Sequence, residues 1–422
     1  MGVLNDNTII GASAAGDYEI KQSLRFNDDD SAYLSRTPSV AGNRKTWTWS
    51  GWVKRGNLGT YQRLLTVFNS STSQFTIGYT SADKLELFQY TGSYQINLTS
   101  TSLYRDASAW YHLTLEIDTT LAASADRVKI YINSEQVTAF DTAVYPTQNT
   151  DLLVNDATPL YIGKKDAGDY LDGYLAEVNF IDGLALTPDS FGETGDYGEW
   201  KPLRYTGAYG TNGFYLDFKD SGSLGNDAAG SNNWTPNNLA ATDQMLDSPT
   251  NNFATLNPLR KGSAVVLSEG NTKSATGSGL PVVGSTIASS TGKWYCEVIN
   301  KTGNSMIGLS VVNTDISSAA LGVSADSWAY YKDGRKFTNN GMTTYGSSYV
   351  ADDVIGISFD ADVGSLTFYK NNVSQGVAFT GLTSEDYVFA IGNGSTTHIA
   401  NFGQDSSFAG NKTAQGNSDS NG

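Results

Sequence analysis

One cysteine, Cys296, and two histidines, His112 and His398, are all that 422 residues contain of those types. A single cysteine excludes an intramolecular disulfide, and its place in an apolar strand reads as a buried thiol rather than a nucleophile. Two histidines far apart in sequence argue against a histidine-rich metal site and leave any catalytic triad only one of them to use. Cations are also scarce: 27 Lys and Arg stand against 43 Asp and Glu, a formal net charge of -16. That argues against a nucleic-acid backbone as partner, which needs clustered Lys and Arg. No apolar run approaches the ~20 residues of a membrane span, so membrane insertion is not expected. Walker loops, dinucleotide fingerprints and Cys-x-x-Cys are missing too. Residues 1–6 lack the basic and apolar regions of a signal peptide, and Asp6 stands where myristoylation after Gly2 wants Ser or Thr.

What is present is short alternating stretches separated by turn residues. Residues 353–379 read as strand, turn, strand, turn, strand. Ile355, Ile357 and Phe359 alternate along the first strand, with Val354 on the other face. Gly364 and Asn371-Asn372 suit the left-handed conformations of tight turns. Leu366 and Phe368 carry the second strand, and Val373, Val377 and Phe379 supply the third. Gly356, Gly364 and Gly376 break any 3.6-residue period, so a helix fits poorly. In the first half, Trp47, Trp49 and Val53 share one face of a period-2 strand and are expected to anchor a core. Further strands are expected at 64–68, 75–79, 85–90, 94–98, 110–117, 128–132, 160–162, 174–180 and 213–218.

Two resemblances rest on these residues. Gly292-Lys293-Trp294-Tyr295-Cys296-Glu297-Val298, Asp352-Asp353-Val354-Ile355-Gly356, Leu366-Thr367-Phe368-Tyr369-Lys370-Asn371 and Asn401-Phe402-Gly403 resemble successive strands of a SPRY domain. The resemblance implies a sandwich that binds partners through its loops. Trp49-Ser50-Gly51-Trp52-Val53, Trp110-Tyr111-His112-Leu113, Val128-Lys129-Ile130-Tyr131-Ile132-Asn133 and Leu171-Asp172-Gly173-Tyr174-Leu175-Ala176-Glu177-Val178 resemble a laminin-G-like, concanavalin A-like jelly roll. The fold expected is all-β: two tandem antiparallel β-sandwiches, jelly-roll-like over 23–220 and SPRY-like over 263–405. Residues 1–22 are read as an arm, 221–262 as a connector that Trp234, Met245, Leu246 and Phe253 should hold against one or both sandwiches, and 406–422 as a polar tail. The tandem is also similar to phage structural proteins that display lectin-like sandwiches.

The jelly-roll family includes glycoside hydrolases, so carboxylates deserve a search. Glu116-Ile117-Asp118 resembles the start of a Glu-x-Asp-x-Glu strand motif, but Thr120 stands where the third carboxylate would fall. His112 and His398 read as packing residues. Calcium is weighed at Asp28, Asp29 and Asp30, or at Asp166, Asp169 and Asp172, and solvated loop acids are preferred; no cofactor is expected. Loop aromatics are better candidates, being rigid platforms that lose little entropy on binding. They are Tyr61, Tyr90, Tyr94 and Tyr170 in the first domain, and Trp328, Tyr330, Tyr331, Tyr345 and Tyr349 in the second. The expected function is non-enzymatic: a virion surface or fibre component that binds a host-surface glycan or a neighbouring virion protein. A homo-oligomer, for instance a trimer, would multiply weak sites. The alternatives are a polysaccharide-degrading enzyme and a purely architectural virion protein.

Overall fold

The computed structural model describes residues 18–413, apart from 278 and 318. Most of the expected arm, residues 1–17, and the end of the tail, 414–422, lie outside the described residues. The chain divides at Asn252 and Phe253 into two compact units. Among the described residues there is no α-helix, only strands and three 3-10 turns.

The first unit holds two eight-stranded antiparallel sheets among the described residues. The first sheet is centred on Thr46–Arg55, flanked by Trp110–Asp118 and Gly173–Asp182. The second runs Phe140–Val144, Tyr94–Leu103, Lys84–Thr91, Ser73–Tyr79, Gln62–Ser70, Leu160–Ile162, Tyr33–Arg36, Thr235–Asn237. Their inner faces share one core. Trp47, Trp49 and Val53 meet Phe75, Ile77, Leu87 and Leu98 there. Gly51 lies on the same face, and a Cβ there would come within 3.0 Å of the Trp49 ring. The missing side chain makes room for the indole.

The first sheet is apolar on its outer face as well. Trp52, Trp110, Tyr174 and Ala176 form a second cluster with Ile20 and Met245. Ile20 thus belongs to the packed unit, and the expected arm ends earlier than residue 22. Tyr18 donates to Glu177 Oε2 at 2.9 Å and Tyr215 donates to Oε1 at 2.6 Å. Glu177 sits at a bulge between Ala176 and Asn179 with φ +50. The expected connector is also structured. Trp234 enters the main core and Met245 the outer cluster. Thr235–Asn237 and Gln244–Met245 each add an edge strand.

The second unit has two seven-stranded antiparallel sheets among the described residues. Ile355, Ile357, Phe359, Leu366 and Phe368 face the core with Cys296, Val298, Ile307 and Ile391. Asn371 and Asn372 both take positive φ in the hairpin, at +47 and +66. The third meander strand, Val373–Phe379, departs from expectation. Its register with Ser365–Lys370 shifts twice, so Ala378 is buried while Val373 and Val377 are exposed. The start of the tail is anchored: Phe408 packs on Ile299 and Ile399.

Trp47→Ala removes a fully buried indole from the first core. It should lower that unit's stability by ~3–5 kcal/mol in a denaturant titration of the full chain.

Candidate functional site

The outer face of the second sheet of the first unit gathers aromatic and cationic side chains. Tyr161, Thr66, Thr76, Phe88 and Asn97 are register partners across five neighbouring strands, so their side chains share that face. Tyr33 joins Tyr161 edge to face with centroids 6.1 Å apart, and Tyr170 lies 6.5 Å from Tyr33. The ammonium of Lys164 lies 3.8 Å from the Tyr33 ring centroid and 4.7 Å from that of Tyr161. Tyr94 contacts both Phe88 and Tyr90, at 6.2 and 5.0 Å. Lys165 lies over Phe88 at 5.7 Å. The hydroxyls of Thr66 and Thr76 are buried and have no hydrogen-bond partner among the described residues.

A row of charges borders this surface. Gly78 separates Arg63 from Glu86 in the register, and without a side chain it lets them meet at 2.8 Å. Arg63 also pairs with Asp169 at 3.0 Å and lies over the Tyr61 ring at 4.9 Å. Burial first, and the Arg63 guanidinium second, hold the Lys165 ammonium below its usual range. Thus Tyr90 and Tyr94 touch each other, Tyr170 joins through Tyr33, and Tyr61 joins through Arg63. Tyr33, Tyr161, Phe88, Lys164 and Lys165 were not singled out in the sequence. The Lys164-Lys165 pair in a cation-poor chain is the signal that could have found them.

The second-unit aromatics fall differently. Tyr330 and Tyr349 are core residues. Tyr349 donates to the Tyr330 carbonyl at 3.1 Å, and Tyr330 donates to the Ser347 carbonyl. Neither offers a face to a ligand, because both are buried and Tyr349 and Phe368 pack on the Tyr330 ring at 57° and 38°. Trp328 and Tyr345 are half-buried against the same core. Tyr331 is half-buried in a separate cluster with Ala329 and Phe337.

The remaining candidates are held by near neighbours. Glu116 accepts from Tyr131 at 2.8 Å and pairs with Lys129 at 3.4 Å. Asp118 accepts from Thr120 Oγ1 at 2.6 Å. Asp30 accepts from Asn27 at 2.8 Å, and Asp172 from the Asn57 amide at 3.0 Å. Desolvation, then the Asp29 charge, raise the Asp28 carboxyl above its usual range. Among the described residues no group of three His, Cys, Asp or Glu is placed to hold a metal ion. Burial pushes the Cys296 thiol well up, away from thiolate chemistry.

His112 Nδ1 accepts from Trp200 Nε1 at 2.9 Å, so Nε2 carries the proton, 2.8 Å from Ser50 Oγ. His398 Nε2 lies 2.7 Å from Ser305 Oγ in the second unit. Burial lowers both histidines from 6.5 to about 3. A depressed folded value means that the unfolded chain binds the extra proton between these limits. The stabilising contribution is complete above about pH 6.5 and is lost as the pH falls toward 3. The second unit should lose up to ~1.4 kcal/mol per pH unit through His398 as the pH drops below ~6. His398→Gln should flatten that slope in denaturant titrations at several pH values.

Two family matches agree with this architecture. Residues 26–190 match the concanavalin A-like lectin/glucanases superfamily, and residues 293–404 match the SPRY domain. An E3 ubiquitin-protein ligase, RKP of Arabidopsis thaliana, is 38% identical over 95 residues, 22% of this chain and 7% of that protein. The chain therefore spans a small fraction of that relative's length. Among solved structures, the SPRY domain of human HERC1 is 16% identical with a TM-score of 0.31, covering 34% of this chain and 96% of that one. The TRIM65 PSpry domain is 16% identical with a TM-score of 0.31, covering 35% and 89%. Stonustoxin is 23% identical with a TM-score of 0.30, covering 35% and 26%. The chain carries in tandem a domain of the concanavalin A-like lectin/glucanase superfamily and a SPRY domain.

Proposed function

We propose that this chain is a non-enzymatic binding protein, a virion surface or fibre component whose first domain holds a host-surface glycan. The observation that carries the reading is the aromatic face of the second sheet: Tyr33, Tyr161 and Tyr170 around Lys164, continued by Phe88, Tyr90 and Tyr94. Tyrosine rings stack on the apolar faces of sugars, and Lys164, Asp169 and Glu86 supply directional hydrogen bonds to hydroxyls. Weak sites of this kind gain strength when displayed in several copies, as in a homo-oligomeric fibre. The virion assignment rests on the pairing of two sandwiches in one chain.

Binding without turnover is supported by the fate of the carboxylates. Glu116 and Asp118 hydrogen-bond to neighbours on the first sheet, away from the aromatic face. A second reading, contact with a neighbouring virion protein, is supported by the SPRY domain. Tyr295 is 48% exposed and lies 6.3 Å from Tyr369, and Val377 is exposed on the edge strand of the same sheet.

A glycan-array screen of the full chain, with reducing-end release measured on any bound polysaccharide, tests the reading. Binding without release is expected. Tyr161→Ala and Lys164→Ala should each weaken binding about tenfold, ~1.4 kcal/mol, and Tyr295→Ala should leave it unchanged. Release of reducing ends would instead favour the enzyme. Loss of particle incorporation in Val377→Lys, with no glycan bound, would favour the protein-contact reading.

A further inference from the structure

Lys54 lies on the outer face of the first sheet and is fully buried. Its register partners are Trp110 on one side and Tyr174 on the other, with ring centroids 6.3 Å apart. Its Nζ lies 2.6 Å from Asp247 Oδ2 and 2.8 Å from Asn252 Oδ1. Asp247 is fully buried too, and its Oδ1 accepts from Trp110 Nε1 at 3.0 Å. Asn252 Nδ2 donates to the Ser108 carbonyl at 2.8 Å, which turns the carboxamide oxygen toward the amine. An amine, a carboxamide and a carboxylate are thus held together between aromatic walls.

We propose that Lys54 and Asn252 join in an intramolecular isopeptide bond, with Asp247 carrying the proton. Asp247 first takes a proton from the Lys54 ammonium, which cancels two buried charges. The neutral Nζ then attacks Cγ of Asn252, and protonated Asp247 supports the developing charge on Oδ1. The Cγ–Nδ2 bond breaks as Nδ2 takes one proton from Nζ and one from Asp247. An amide and an ammonium ion result, and Asp247 is a carboxylate again. Nothing is oxidised or reduced, and no co-reactant is needed. Burial lowers the Lys54 pKa and the Asp247 charge opposes it, so desolvation favours the reactive amine.

The bond would fasten the last residue of the first unit to its central strand. Tension arriving through residue 253 would then pass into Thr46–Arg55 covalently, and residues 55–251 would be shielded from extension.

Intact mass spectrometry of the denatured full chain tests this. The wild type should be lighter than its sequence mass by one ammonia, about 17 Da. Tryptic digestion should yield a branched peptide containing Lys54 and Asn252, without cleavage after Lys54. Asp247→Asn keeps the shape of the acid and removes its proton transfer; it should keep the full sequence mass while folded by circular dichroism. A folded wild type that retains its full mass after prolonged incubation at neutral pH overturns the proposal. So does a loss of ammonia that persists in Asn252→Ala.

Discussion

The first sheet has two apolar faces, and water can be left against neither. Trp47 and Trp49 fill the inner core, and Trp52 projects from the same strand to the other side. Sequestering that outer face requires more chain than the sandwich itself supplies. Ile20 and Met245 close it from two distant parts of the sequence. Trp234, in the intervening stretch, seals the main core. The cover buries polar groups in turn, and several of them find partners. His112 lies between Trp200 and Ser50, Glu177 accepts from two tyrosines, and Lys54 meets Asp247.

The second sheet is treated differently. Its inner face is core, but much of its outer face is only half-buried. Tyr33, Tyr161 and Tyr170 are half-buried there, with Lys164 over the first two rings and Lys165 over Phe88. One sheet is closed off on both faces, and the other keeps half-buried tyrosines on its outer face. At its border Arg63 pairs with both Glu86 and Asp169, within a strongly acidic chain.

The second unit follows the same two-sheet plan with other means. Its aromatic residues are largely committed to the core, where Tyr330 and Tyr349 hydrogen-bond to the backbone. Gly356 gives Tyr295 room to lie across the sheet surface; a Cβ there would come within 2.4 Å of its hydroxyl. The shifted register of Val373–Phe379 leaves valines at the sheet edge.

Alternation along single strands was legible from residues alone. Trp47, Trp49 and Val53 share a face, as do Ile355, Ile357 and Phe359, because side-chain direction has period two whatever the strand pairs with. The Asn371-Asn372 turn was legible for a similarly local reason, the left-handed backbone that asparagine tolerates. The all-β class followed from such local patterns, and the two families from the resemblance of successive motifs. What pairs with what is decided by register, and register depends on strands far apart in sequence. Aromatic content alone could not separate Tyr161, half-buried on a sheet face, from Tyr330, sunk in a core. Nor could it place Lys54 beside an acid and a carboxamide about two hundred positions away. The sequence determined which faces must be hidden; the tertiary structure decided what hides them, because burial of a face is satisfied by any apolar segment that can reach it.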